Sequence, residues 1–435
     1  MPPILSVRSL SAAILCCLTA FHIVSAAAAE ASIRSRYVEP YPSVASKKGL
    51  QVEMVDDAIE LGVKHAALNL NLSQLAAPVG TASALDSEEK GRRFQFQRGY
   101  VEHLDREIKT LSDRGILVNL IILAYASGNP AQDAVLLHPN YSTNAPNRLG
   151  NFNTVTADGR AWFSACLGFM AERWSRPDRS KGRVCGYIIG NEVNSHWFWA
   201  NMGPVTMEAF ADDYLRTTRM AFEAVRRQSS WARVYLSMEH HWTIKYPPAE
   251  PTQAFAGRPF LEYFARRASE SGGFEWHLAF HPYPENLFEP RFWNDKSATD
   301  TVDTQRITFK NLQVLTEFMQ RPEMLHEGKP RRIILSEQGF HSPRTEDGEK
   351  TQAAAYCYAY RKVERLDGID SFILHRHVDH PDEGGLNLGL RRRSADASNP
   401  RPPKRIYECF KLADTPQWEE AFRFALPVIG LERWP

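Results

Sequence analysis

Seven short apolar runs, separated by stretches with helical periodicity, constrain this chain more than any other feature. The runs are Lys64 to Leu72, Ile116 to Ala124, Val184 to Gly190, Val234 to Met238, Trp276 to Phe280, Arg332 to Leu335 and Ile369 to Leu374. Strands that are apolar on both faces belong to parallel sheets covered by helices. The segments between them, Tyr100 to Arg114, Arg160 to Arg173, Met207 to Arg227, Phe260 to Ser271, Gln305 to Gln320 and Lys350 to Leu366, carry the helical pattern. Alternation of this kind means a parallel α/β fold. With an eighth strand expected between Ile33 and Val44, the expected architecture is a (β/α)8 TIM barrel. An open sheet is the alternative, but no Gly-x-Gly-x-x-Gly follows the first run.

Composition excludes a partner held by bulk charge. The 435 residues carry 52 Lys+Arg against 51 Asp+Glu, a net charge of +1, so nothing suggests nucleic acid. At the N-terminus, Arg8, the apolar run Leu10 to Val24 and the small residues Ser25 to Ala29 have the layout of a cleaved secretory signal. That run is shorter than the ~20 residues of a spanning helix, so no stable membrane insertion is expected. Residues 1–29 are read as the signal peptide and 30–435 as one catalytic barrel domain, secreted or periplasmic. Leu15 precedes Cys16, which favours cleavage over lipidation. The remaining cysteines, Cys166, Cys185, Cys357 and Cys409, are widely spaced and are expected to be buried thiols.

In a parallel barrel, the carboxyl ends of all strands open onto one face. Glu192 closes Gly-Tyr-Ile-Ile-Gly-Asn-Glu and Glu337 closes Arg-Arg-Ile-Ile-Leu-Ser-Glu, so both carboxylates are expected there. Two carboxylates meeting across a cleft make a glycosidase pair. Glutamate leaving a buried strand among aromatic residues is suited to holding a proton near neutral pH. Asn191 is placed to hydrogen-bond a sugar hydroxyl. His281 and Tyr283 follow the fifth run and share one side of the chain. Trp197, Trp199 and Trp242 are candidate platforms for pyranose rings, with His240 and His375 as further substrate contacts. The long segments Ser73 to Gln97, Tyr125 to Asp158 and Pro282 to Thr304 follow strands and are expected to shape the cleft.

Gly-Asn-Glu, His-Pro-Tyr and Ser-Glu-Gln-Gly-Phe at successive strand ends resemble clan A of the retaining glycoside hydrolases. The resemblance implies Glu192 on strand four as acid/base, Glu337 on strand seven as nucleophile and Tyr283 as the residue orienting that nucleophile. It implies an equatorial, commonly β, glycosidic bond in a carbohydrate substrate, and no cofactor. The chain departs from the clan where the last strand ends in His375-Arg376-His377, a position at which many members hold tryptophan. Two other readings remain. A metal-dependent hydrolase would use His375 and His377, which a strand places on one side, completed by His240, His241, His281 or Asp379. A barrel that binds glycans without cleaving them is the third.

Overall fold

The computed structural model describes residues 37–78 and 80–434, so the signal-like segment 1–29 lies outside the described residues. Eight parallel strands close on themselves: β1 (Lys48–Gln51), β2 (His65–Asn71), β3 (Leu117–Tyr125), β4 (Val184–Ile189), β5 (Arg233–Glu239), β6 (Trp276–His281), β7 (Ile333–Leu335) and β8 (Ile369–Leu374). Each pairs with its neighbours in chain order, and closure comes from β1 pairing with both β2 and β8. A helix follows each strand: α1 (Val55–Glu60), α2 (Arg98–Asp113), α3 (Ala157–Trp174), α4 (Met207–Gln228), α5 (Gly257–Glu270), α6 (Gln313–Phe318), α7 (Glu346–Glu364) and α8 (Arg405–Leu412). This is the TIM barrel expected from the alternation.

Two apolar layers hold it together. Alternate strand residues point inward, and Ala67, Ile121, Ile188, Tyr235, Ala279, Ile334 and Ile373 fill the barrel, with Trp199 packed over them. Their neighbours, such as Leu68, Leu120, Ile189, Leu236, Phe280 and Leu335, point outward to the helices. Helix α2 shows why the helices dock: Val101, Leu104, Ile108 and Leu111 recur at helical spacing and are all buried. Asp105 interrupts that stripe and is matched by Arg173 at 2.7 and 2.6 Å and by the Trp174 indole N–H at 3.0 Å, which ties α2 to α3. Thr156, Thr206 and Thr345 cap α3, α4 and α7 through side-chain oxygens. In the barrel interior a Cβ on Gly186 would stand 2.1 Å from Asn119 Oδ1, so that position has room for glycine alone.

The structure corrects three expectations. The first strand lies at Lys48–Gln51, beyond the Ile33 to Val44 interval, which contains Pro40 and Pro42 and forms no strand among its described residues. The helix expected over Gln305 to Gln320 is confined to Gln313–Phe318, because Thr308 and Asn311 tie the preceding chain into a loop, the Thr308 amide donating to Asn311 Oδ1 at 2.9 Å. The insertion after β2 leaves the cleft. Its hairpin, Leu85–Glu89 with Arg92–Phe96, packs against α3, where Phe94 meets Trp162 and Phe96 stacks on Phe169.

Candidate active site

Strand β4 ends in a tight turn. Gly190 takes a positive φ of 79° and Glu192, a non-glycine residue, is left-handed at φ 41° and ψ 50°. The Glu192 amide donates to Ser237 Oγ at 3.0 Å, which fixes the turn against β5. This geometry swings the Glu192 side chain toward β6 and β7. His281 Nδ1 donates to Glu192 Oε1 at 2.9 Å, and its Nε2 bonds Ser336 Oγ at 3.0 Å. The Tyr283 hydroxyl donates to Glu337 Oε1 at 3.4 Å. His281 and Tyr283 thus share one side as expected, each serving a different carboxylate. Oxygen atoms of Glu192 and Glu337 and a ring nitrogen of His281 all lie within 4.8 Å of one another. Gly339, after Glu337, is required by a close approach: a Cβ there would stand 2.1 Å from the His375 carbonyl oxygen.

Electrostatics act strongly on Glu192. Burial pushes the Glu192 carboxyl up from its ordinary range; the His281 hydrogen bond opposes this, and the charges of Glu337 and Glu239 add to it. For His281, burial acts downward, but the hydrogen bond to Glu192 and the nearby Glu337 charge prevail and raise it. Both shifts favour a proton at the Glu192–His281 contact. Tyr283 is driven well above its usual value by burial and by the Glu337 charge beside it. It remains a neutral donor.

The other expected contacts divide. Asn191 is half-buried and makes no side-chain hydrogen bond within the described residues, so its amide is available to a ligand. Trp197 and Trp199 are half-buried on the segment after Glu192, Trp199 directly over the barrel interior. His281, expected to contact substrate, is 1% exposed and serves Glu192 instead. His240 is largely buried and its Nδ1 donates to the Tyr283 carbonyl at 3.0 Å, which supports Tyr283. His375 is likewise buried, bonded to Gln51 and to Glu383. Trp242 is a correction. It is fully buried, its indole N–H donates to Val302 O at 3.0 Å, and its ring meets Phe318 edge-on at 4.9 Å, so it belongs to the core. Trp242→Ala is expected to lower unfolding free energy by about 3–5 kcal/mol in a denaturant titration with KM unchanged. Intact stability with a raised KM would return Trp242 to the sugar.

His375 and His377 do not converge. His377 is fully buried beneath the face, 2.7 Å from Oδ2 of Asp57, whose Oδ1 accepts from Arg391 and Tyr407. Asp379 is committed to Lys404 at 3.0 Å. Among the described residues, the groups compact enough to share a cation are Glu192–His281–Glu337 and Glu239–His240–His241. Neither includes the pair from β8. In both, carboxylate oxygens already accept protein hydrogen bonds: Glu239 takes four donors.

Three residues of this face were not singled out from sequence. Glu239 ends β5 and is drawn down to about 2, burial opposing and His241 prevailing. Glu383, in the loop after β8, is also drawn to about 2; burial opposes, and bonds from His375 and Arg376 outweigh it. Tyr125 ends β3, 36% exposed, and feels the charges of both Glu337 and Glu383. A strand-end position marked Glu239 and Tyr125; no local signal marks Glu383.

Residues 40–435 match the model of a family of unknown function, DUF5722. The chain belongs to that family. No curated protein sequence matches it. Among solved structures, it is similar to a family 39 glycoside hydrolase from Bacteroides cellulosilyticus WH2 at TM-score 0.54 and 14% identity, covering 85% of this chain and 64% of that one. It is similar to a hyperthermophilic beta-glucosidase from Pyrococcus furiosus at TM-score 0.53 and 14% identity, with 86% of each chain covered. A glucosidase from Croceicoccus marinus gives TM-score 0.53 at 12% identity, covering 87% of this chain and 69% of that one. At these identities the likeness is one of fold, and it agrees with the clan A resemblance carried by the strand-end motifs.

Proposed function

We propose that this protein is an exported retaining glycoside hydrolase that cleaves a β-linked sugar in an oligo- or polysaccharide. The observation that carries the reading is the approach of Glu192 and Glu337, whose oxygens lie within 4.8 Å of each other. Retaining enzymes hold their carboxyl groups about 5–5.5 Å apart, and inverting enzymes leave about 6.5–9.5 Å for a water. In the first step Glu337, fixed by the Tyr283 hydroxyl, attacks the anomeric carbon while Glu192 gives its proton to the leaving oxygen. The products are a glycosyl ester on Glu337 and a free alcohol. In the second, Glu192 takes a proton from water, which displaces Glu337 and releases the sugar with its anomeric configuration kept. His281 keeps the Glu192 carboxyl aimed, and Trp197 and Trp199 offer ring faces beside it.

Export rests on Arg8, the run Leu10 to Val24 and the small residues that follow. The test of the activity is a panel of plant, algal and microbial polysaccharides and aryl β-glycosides, with the first-formed anomer read by NMR. A β-anomer from a β-glycoside is the expected product. Inverted product would refute the mechanism, and no hydrolysis of any glycoside would refute the function.

A further inference from the structure

Beside the carboxyl pair stands a third buried carboxylate that the two-step reaction does not use. Glu239 Oε1 accepts from Asn194 Nδ2 at 2.6 Å and Ser195 Oγ at 3.0 Å, and its Oε2 accepts from the His241 amide at 2.8 Å and His241 Nδ1 at 2.6 Å. Its own amide donates to Asn194 Oδ1 at 3.0 Å. Asn194 and Ser195 belong to the single turn that follows Glu192, and the Ser195 amide closes that turn on the Glu192 carbonyl at 2.8 Å. The left-handed backbone at Glu192 is thus held from β5 at Ser237, Asn194 and Ser195.

We propose that Glu239 is a positioning residue for Glu192: through Asn194 and Ser195 it locks the turn that aims the acid. The inference rests on reading Glu192 as the acid/base. The groups facing Glu192 are His281 from β6, Glu337 from β7 and Glu239 from β5. Those facing Glu239 include His241 and His240, which follow it directly. Glu337 loses its charge in the first step, when it becomes an ester. The Glu239 charge also adds to the upward shift of the Glu192 carboxyl. Four converging donors explain why an acceptor-only side chain is buried here. They do not explain a consequence for the ionisation of Glu192, and that separates this role from a structural one.

The test is the pH dependence of kcat/KM on an aryl glycoside for Glu239→Gln and Glu239→Asp, with folding checked by circular dichroism. Glutamine removes the charge and keeps the size, so the alkaline limb is expected to move down by roughly half a pH unit or more. In the same variant kcat is expected to fall while KM stays within about twofold, the pattern of a lost transition-state interaction. Aspartate restores the limb because it restores the charge. A folded Glu239→Gln enzyme with the wild-type limb would overturn the inference and leave the glycosidase reading standing. Should the glutamine variant not fold, Ser195→Ala decides, because it removes one of the bonds by which Glu239 holds the turn: an unchanged kcat would overturn the inference. A wild-type protein inactive on every glycoside removes both.

Discussion

Glu337→Ala is expected to abolish turnover, lowering kcat roughly 10⁴-fold or more, as removal of a covalent nucleophile does. On that scale the variant loses about 5.5 kcal/mol of barrier reduction. No neighbour can replace the lost carboxylate: Glu192 is engaged by His281 and Glu239 by four donors. Truncation leaves a small space beside Tyr283, and azide fits such a space. Added azide should restore part of the rate on an activated aryl glycoside and yield the glycosyl azide of inverted configuration, because one displacement has replaced two. Circular dichroism establishes that the barrel persists. An unaltered rate in the folded variant, or rescue giving the retained azide, would remove Glu337 as nucleophile.

Glu192→Gln should separate the two steps. Glutamine keeps the size and still accepts from His281, but has no proton to give. On a glycoside with a poor leaving group the rate is expected to fall roughly 10²- to 10⁴-fold. On a dinitrophenyl glycoside, whose leaving group departs unaided, the first step should be nearly unaffected. The pH profile changes in a defined sense. Wild-type Glu192 must be protonated for the first step, and burial raises its pKa, so activity persists above the ordinary carboxylate range and falls as pH rises through the raised value. The glutamine variant should lose that alkaline limb. Equal loss on good and poor leaving groups would show that Glu192 is no acid.

The two glutamates were legible because each ends an apolar run with a charge, a pattern that a buried strand permits only where it emerges. Glu239 ends its run in the same way, yet its importance lies in Asn194 and Ser195, which the fold brings from another strand end. Glu383 could not be read, since it gains its position from His375 and Arg376 across a loop. β1 was missed for a similar reason. Its four residues, Lys-Gly-Leu-Gln, are half polar, and the Lys48 ammonium is satisfied by carbonyls of Lys411 and Ala413, far along the chain. Trp242 follows a strand end as Trp197 does, and only the tertiary structure shows one turned into the core and the other left half-buried.

The backbone at Glu192 has a consequence for how this protein would evolve. A left-handed conformation costs a non-glycine residue about 1–2 kcal/mol, and glycine or asparagine would occupy φ 41° more comfortably. Selection for stability alone would drive glutamate out of this position. On the proposed mechanism, its presence marks a place where the chain gives up robustness to keep a carboxylate, and where variants that drift toward greater stability would lose that chemistry.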